Sequence, residues 1–225
     1  MELKQAMKNI LNTEHKITHN GIMPEINSPD ELSFSTQKLR KTLNKAIFVK
    51  PKFTLIKENI QNVDNGKIKS ILTRKVKKEI DRHKAEFNYK LLTDTIANAK
   101  ILSKWKPNVN KNCTVCNIED TTMHMIFECE ENQNVWRTCQ TEIGKALTIE
   151  NILTSNYAHA ENELISEICY ILYKFWIEVI NDKLQRTSQN ASMFVKKHLL
   201  YHGKLLELRE RITESNLFRQ IGNAM

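Results

Sequence analysis

The sequence predicts a mainly α-helical bundle. Five glycines and four prolines are few for a chain of 225 residues, so little in it would interrupt a helix. Apolar residues also recur every three to four positions over long stretches, which is the spacing of one helical face. The longest such stretch, from Leu164 to Leu184, places ten apolar residues on one wide face. A face of that width is typical of a helix in the core of a bundle.

The first part of the chain is predicted to be less regular. A short helix over residues 1–16 leads to a loop or linker from Ile17 to Thr36, where two prolines and a glycine fall among small polar residues. A second helix is expected from Thr36 to about Phe48, because Pro51 follows it. Residues 1–66 are assigned to an N-terminal helical and linker region without a functional motif.

Helices are predicted for most of the remaining chain. No glycine or proline occurs from Lys67 to Lys106, and two helices separated by a break near Phe87 are expected there. A long core helix is predicted over residues 161–186. A final amphipathic helix is predicted from about Ser192 to Ile212, weakened by Gly203.

The charge is distributed unevenly. The formal net charge is +8 and the pI is near 9.2, which favours an anionic partner. Residues 67–112 hold 13 basic and 4 acidic residues, a net charge of +9. Residues 113–167 hold 2 basic and 10 acidic residues, a net charge of −8. Residues 67–112 are therefore predicted to form a basic helical segment.

Three cysteines and a histidine fall in one short window. The spacing C-x2-C-x7-H-x4-C joins Cys113, Cys116, His124 and Cys129. Two cysteines separated by two residues can bend around one metal ion, and a downstream His and Cys can complete a tetrahedron. The pattern predicts a CCHC zinc knuckle over residues 113–136 that holds one Zn²⁺. The alternative is a set of buried free cysteines beside a hydrogen-bonded core histidine.

The predicted zinc site is structural rather than catalytic, since four protein ligands leave no open coordination position. A zinc deaminase also uses His and Cys ligands, but its signature needs H-x-E and P-C-x-x-C. Asn112 stands before Cys113, so the P-C-x-x-C part of that signature is absent. Cys139 and Cys169 lie near apolar residues and are predicted to be structural. No nucleophile with a base and no phosphate-binding glycine loop is evident, so we predict no enzymatic activity.

The cysteine content favours an intracellular protein of the nucleus and/or cytoplasm. Five is an odd number and no secretory leader is recognisable, so disulfide bonds are not expected. The longest apolar stretch is interrupted by Glu167, Lys174 and Glu178, so it does not predict a membrane span. We expect no membrane partner.

The run from Phe87 to Trp136 resembles the zinc-binding segment near the C-terminus of non-LTR (LINE-type) retrotransposon reverse transcriptases. In that family a helix leads to C-x2-C, an acidic turn, an H-x4-C step inside an apolar run, and a tryptophan several residues later. Here HMIFEC, from His124 to Cys129, is followed by Trp136. The long helix that contains LYKFWIEVIND also resembles the helix that follows in such proteins.

This resemblance implies binding of element RNA or target DNA during target-primed reverse transcription. No aspartate pair of the polymerase type is present, and no proline follows Pro107 that could form the Pro-Asp step of the restriction-like endonuclease. The chain is therefore predicted to be non-catalytic, as a fragment or a stand-alone descendant of the larger enzyme.

The basic segment supplies the predicted contacts to nucleic acid. On one helix, Arg74, Lys75, Lys78 and Arg82 would recur at i, i+1, i+4 and i+8 and fall on one side. Cations on one face would neutralise phosphates and make binding salt-dependent. The alternative is an ordinary solvated helix face. The predicted contact residues are Lys67, Lys69, Arg74, Lys75, Lys77, Lys78, Arg82 and Lys84.

Aromatic side chains are predicted mainly for the core. Tyr89 and Trp105 could stack on unpaired bases, but core packing is the favoured prediction for both. Trp136, Phe175 and Trp176 are predicted core residues. Because the knuckle itself is acidic, zinc is expected to hold the preceding helices against Trp136 and the long helix rather than to bind phosphates.

Protein interaction is the alternative function. The C-terminal helical region, residues 137–225, could present its amphipathic helices to a protein partner, with the zinc purely structural. A secondary basic face in this region is predicted to be solvated surface, and it comprises Lys196, Lys197, His198, Lys204, Arg209 and Arg211.

Overall fold

Helices occupy most of the chain that the computed structural model describes, residues 53–77, 79, 81–106, 108–181 and 183–225. The mainly α prediction is confirmed. The predicted helices over 1–16 and 36–48, and the loop between them, lie outside the described residues. Two π-helical turns, Thr73–Lys77 and His124–Glu128, occur among the helices. The helices are α1 (Thr54–Asn59), α2 (Asn65–Leu72), α3 (Arg82–Leu92), α4 (Ala99–Leu102), α5 (Glu130–Ile143), α6 (Ile149–Thr154), α7 (His159–Ile180), α8 (Ser188–Leu208) and α9 (Ile212–Ala224).

The break between the helices of the basic segment lies earlier than predicted. Asp81 caps α3, since its Oδ1 accepts hydrogen bonds from the backbone N–H groups of His83 at 2.8 Å and Lys84 at 3.3 Å. The predicted break near Phe87 is therefore wrong. Phe87 lies inside α3, is 3% exposed, and stacks on the ring of Tyr173 at a centroid distance of 5.3 Å. The presence of Asp81, a residue type favoured at helix N-caps, within the basic run could have indicated this helix start.

Helix α7 is the central element of the unit formed by residues 51–225. Its wide apolar face contacts α3, α6, α8 and α9. Trp136, Phe175 and Trp176 are buried, as predicted. The helix ends at Ile180, before the predicted end at residue 186. No helix of the described residues has the length and apolar content needed to cross a membrane.

The predicted final helix, from about Ser192 to Ile212, corresponds to α8, and a further helix follows it. Helix α8 ends at Leu208, and the chain turns through Glu210, whose φ of 60° is left-handed. Helix α9 then runs from Ile212 and packs along α8. Helix α9 was not predicted, and neither glycine nor proline marks the turn before it.

Gly203 permits the close packing of α8 on α9. A Cβ atom at this position would lie 2.9 Å from Cγ of Arg219 and 3.4 Å from both Cβ of Phe218 and the carbonyl oxygen of Ser215. We expect Gly203→Val to lower the free energy of unfolding by about 1–3 kcal/mol through overpacking. Urea denaturation would measure this, with Gly203→Ala as the milder substitution. Equal stability of the Val variant and the wild type would show that this helix contact is loose.

Candidate zinc centre and basic surface

The first two cysteines lie in a tight turn. The N–H of Cys113 donates to the carbonyl of Ile118 at 2.8 Å, and the N–H of Asn117 donates to the carbonyl of Cys113 at 3.0 Å. Asn117 has a φ of 56°, a left-handed conformation that asparagine tolerates better than most residues. The N–H of Val115 also donates to Sγ of Cys113 at 3.4 Å. The turn places the Sγ atoms of Cys113 and Cys116 in one cluster.

The other two side chains lie at the start of the second π-helical turn and directly after its end. His124 begins this turn, and its N–H donates to Oγ1 of Thr121 at 3.1 Å. Cys129 follows the turn and precedes the first residue of α5. The N–H of Cys129 donates to the carbonyl of His124 at 2.8 Å, the five-residue step of a π-helix. This wider turn sets His124 and Cys129 beside the first two cysteines.

The geometry of the four side chains fits a tetrahedral zinc ion. Their ligand atoms all lie within 4.8 Å of one another, and Sγ of Cys129 is 3.9 Å from the sulfurs of both Cys113 and Cys116. Zn–S bonds of about 2.3 Å in a tetrahedron give sulfur separations of about 3.8 Å. Both ring nitrogens of His124 are buried without a hydrogen-bond partner. A bond to the metal would satisfy one of these nitrogens. The alternative, a core histidine held by hydrogen bonds, requires partners that His124 does not have among the described residues.

The thiols of the cluster influence one another. A hydrogen bond from the Cys129 thiol lowers the pKa of Cys113 and raises the pKa of Cys129 itself. Burial raises the pKa of Cys116. Zinc binds thiolates and neutral imidazole, so metal binding would release the thiol protons. Because four protein ligands complete a tetrahedral coordination sphere, the Cys3His cluster supports one structural zinc ion.

Side chains of α5 satisfy the carbonyl groups of the second π-helical turn. Nδ2 of Asn132 donates to the carbonyl of Met125 at 2.7 Å, and Nε2 of Gln133 donates to the carbonyl of Phe127 at 3.0 Å. Nε1 of Trp136 donates to the carbonyl of Ile126 at 2.8 Å. These bonds occupy backbone acceptors that would otherwise be buried unpaired. Trp136 thus holds the segment that carries His124.

A buried aspartate connects the zinc loop to the rest of the bundle. Asp120 is 1% exposed and follows the turn that holds the first two cysteines. Its Oδ2 accepts a hydrogen bond from Nε1 of Trp176 on α7 at 3.0 Å. The two guanidinium nitrogens of Arg186 each lie 3.4 Å from a carboxylate oxygen of Asp120. An acidic knuckle was predicted, but the burial of Asp120 and its contacts with Trp176 and Arg186 were not.

Arg186 is the buried cation nearest to this network, with 8% of its side chain exposed. Burial opposes its charge, but Asp120 and the sulfurs of Cys129 and Cys113 raise its pKa. Three thiolates, one imidazole and Zn²⁺ carry a net charge of about −1. Arg186 can therefore balance both Asp120 and the metal centre. Nothing in the local sequence signalled this residue, because it lies 57 positions after Cys129.

The predicted nucleic-acid contacts do not share one helix. Lys67 and Lys69 lie on α2, Arg74, Lys75 and Lys77 in the first π-helical turn, and Arg82 and Lys84 on α3. The predicted single stripe is therefore wrong, because the π-helical turn ends at Lys77 and α3 begins as a separate helix at Arg82. Lys67 is half-buried and lies 3.6 Å from Glu150, and Lys78 lies outside the described residues. Four of these cations are exposed and form no ion pair within the described chain: Lys69, Arg74, Lys77 and Arg82.

Two of the predicted contact residues are buried instead. Lys84 is 7% exposed and pairs with Glu167 of α7. Lys75 is 8% exposed, and its backbone carbonyl accepts a hydrogen bond from Nδ2 of Asn88 at 2.9 Å. Burial lowers the pKa of Lys75 to about 8. Both side chains are largely removed from solvent, so we leave both out of the proposed surface.

The prediction of a core position is wrong for Trp105, which is 80% exposed. Tyr89 is half-buried.

Cys139 and Cys169 are buried free thiols, in agreement with a structural role. In the secondary basic face, Arg211 pairs with Glu163 and Glu214, whereas Lys197, Lys204 and Arg209 are exposed.

Comparison with known proteins supports the interpretation of the zinc centre. A protein family described as zinc-binding in reverse transcriptase matches residues 50–136. The match includes all four metal ligands and ends at Trp136, and it confirms the predicted resemblance to a reverse-transcriptase zinc-binding region. No curated protein and no solved structure matches the chain significantly.

Proposed function

We propose that this chain, whose residues 50–136 match the zinc-binding region of reverse transcriptases, binds element RNA or target DNA in target-primed reverse transcription and has no catalytic activity itself. The observation that carries the proposal is a set of four exposed cations that form no ion pair within the described residues and precede Cys113 by 31 to 44 positions: Lys69, Arg74, Lys77 and Arg82. We call this set the basic surface. Zinc has a structural role in this proposal, and the compartment would be the nucleus and/or cytoplasm.

The roles of the chain segments follow from this proposal. Residues 67–112 would supply cations to the phosphate backbone, and residues 113–136 would hold the zinc ion. Residues 137–225 would support the zinc loop, because Trp176 and Arg186 contact Asp120. No role is assigned to residues 1–66.

Charge reversal of the basic surface tests the proposal. We expect replacement of all four residues by Glu to weaken binding to labelled RNA hairpins, single-stranded RNA and duplex DNA without loss of fold. Each cation that contacts a phosphate adds about one unit to the slope of log K against log salt concentration. The slope should therefore become shallower by up to about four units. Fluorescence anisotropy over a salt series would measure it.

A matched control carries the same change in charge elsewhere. Replacement of Lys196, Lys197, Lys204 and Arg209 by Glu makes four reversals on α8 and the turn after it. The proposal expects the control to retain most of the affinity and slope. Equal losses in the two variants would mean that only net charge matters, which would contradict a defined basic surface.

Protein interaction remains a second candidate, and exposed apolar side chains on α8 favour it. Met193, Tyr201 and Leu208 are 59%, 64% and 74% exposed, and their positions fall within about 80° around the helix axis. Lys197 and Lys204 lie between them on the same side. A stable protein partner together with no salt-sensitive affinity for nucleic acid would favour this function over the first.

A further inference from the structure

Trp105 has an unusual position for a tryptophan. It is 80% exposed, whereas the other two tryptophans of the chain, Trp136 and Trp176, are 6% and 4% exposed and donate hydrogen bonds inside the bundle. Burying an indole ring contributes more favourable free energy than burying most other side chains, and an exposed Trp105 does not gain that contribution. The ring of Trp105 is therefore available for a partner.

The backbone around Trp105 is well fixed. Oδ1 of Asn98 caps α4 by accepting the N–H of Ile101 at 2.9 Å, and Nδ2 of Asn98 donates to Oγ1 of Thr122 at 3.0 Å. After α4, the N–H groups of Trp105 and Lys106 both donate to the carbonyl of Leu102, at 2.9 Å and 2.8 Å. The indole thus extends from a segment that is tied to the zinc loop. A ring on a fixed backbone loses little conformational entropy when a partner stacks on it.

The sequence around Trp105 is cationic. Lys104, Lys106 and Lys111 are exposed and form no ion pair within the described chain. No Asp or Glu occurs from Thr95 to Ile118. The following acidic residue, Glu119, is already paired with Lys100 at 2.7 Å. The segment therefore combines one flat aromatic face with three free positive charges.

These properties fit an unpaired nucleotide better than a protein surface. A base supplies a face that stacks on an aromatic ring, and the adjacent phosphates pair with lysines. In a duplex the bases are already stacked on each other, so a single protein ring gains access only to single-stranded nucleic acid. A protein-binding patch would instead surround the tryptophan with apolar or aromatic side chains and few lysines. Both residues flanking Trp105 are exposed lysines.

We propose that Trp105 stacks on a base of single-stranded RNA or DNA while Lys104, Lys106 and Lys111 contact the flanking phosphates. We call these four residues the stacking site. This inference rests on the proposed nucleic-acid function and adds a preference for single strands to it. RNA and DNA share the chemistry that the site would use, so both are included in the test.

Tryptophan fluorescence offers a direct test, because Trp105 is the exposed tryptophan among three. Adding single-stranded RNA or DNA of mixed sequence to the zinc-loaded protein should quench the exposed, red-shifted part of the emission. Duplex DNA at the same nucleotide concentration should quench it much less. Trp105→Ala should weaken single-strand binding roughly 5- to 100-fold, as expected for loss of one stacked base. Trp105→Phe should recover part of that affinity.

The controls separate this inference from the proposed function. Tyr201→Ala removes another exposed aromatic side chain, which also has exposed lysines nearby in sequence, and it should leave affinity unchanged. If the wild type binds single strands but Trp105→Ala binds them equally well, the stacking site is refuted and the proposed function stands. If the wild type binds no nucleic acid even at low salt, both are refuted. If Trp105→Ala instead abolishes binding to a protein partner and not to single strands, the ring belongs to a protein interface.

Discussion

Removal of zinc with a chelator is expected to unfold the segment from Cys113 to Trp136 and to destabilise the helices packed on it. Without the metal, the buried cluster would retain three thiols and an imidazole whose two nitrogens have no hydrogen-bond partner. Structural zinc sites contribute about 10–16 kcal/mol of apparent binding free energy at pH 7. Whole domains are stable by only about 5–15 kcal/mol, so the loss should exceed what the remaining core can offset.

Near-ultraviolet circular dichroism is a suitable measurement, because two tryptophans contact the zinc segment. Trp136 donates a hydrogen bond to the carbonyl of Ile126, and Trp176 donates one to Asp120. Their signals should collapse on chelation and return when zinc is added back, whereas magnesium should have no effect, since it prefers oxygen ligands. A protein that keeps its near-ultraviolet spectrum without zinc would contradict the structural role of the metal.

A pair of cysteine variants separates metal loss from loss of packing. Cys129 and Cys139 are both 0% exposed, but only Cys129 belongs to the metal cluster. Cys129→Ala should lose stoichiometric zinc and resemble the chelated protein. Cys139→Ala should keep one zinc ion and lose about 1 kcal/mol, the cost of deleting a small apolar group.

Arg186→Met is expected to produce the second largest effect. It would leave the carboxylate of Asp120, which is 1% exposed, with the indole of Trp176 but without a cation. Removing one partner of a buried ion pair costs about 3–5 kcal/mol. Because Arg186 also lies near the sulfurs of Cys113 and Cys129, the variant should bind zinc more weakly as well. Urea denaturation and competition with a chromophoric chelator would measure the two effects.

Two further variants sharpen this prediction. Arg186→Met combined with Asp120→Asn should recover part of the stability, because no buried charge is then left unpaired. Arg219→Met is the surface control. Arg219 pairs with Glu207 at 3.3 Å, and both side chains are about half exposed, so its loss should cost less than about 1 kcal/mol. Equal stability of Arg186→Met and Arg219→Met would show that the Asp120 network contributes little.

The metal ligands were predictable from the sequence because all four lie within one short window of fixed spacing. The core face of α7 was predictable for a similar reason, since its apolar residues follow the helical period without interruption. Both predictions use information that is local in the chain.

The features that were missed depend on contacts between distant residues or on burial. Asp120 and Arg186 meet across 66 positions, and Lys84 and Glu167 across 83. A lysine in a basic run gives no sign that it will face a buried glutamate, which is why Lys75 and Lys84 were assigned to the surface. Trp105 shows the opposite error, because helical spacing cannot distinguish a core aromatic residue from one on a turn after a helix.

The partners of Asp120 limit how the zinc segment can be used in isolation. The family match ends at Trp136, yet the carboxylate that follows the cysteine turn is neutralised and hydrogen-bonded by Arg186 and Trp176. A fragment cut at residue 136 would expose Asp120 and lose the cation near the thiolates. The shortest piece with an intact metal loop should therefore extend beyond Arg186. Natural recombination at residue 136 would face the same constraint, so this knuckle should be inherited together with the helices that follow it.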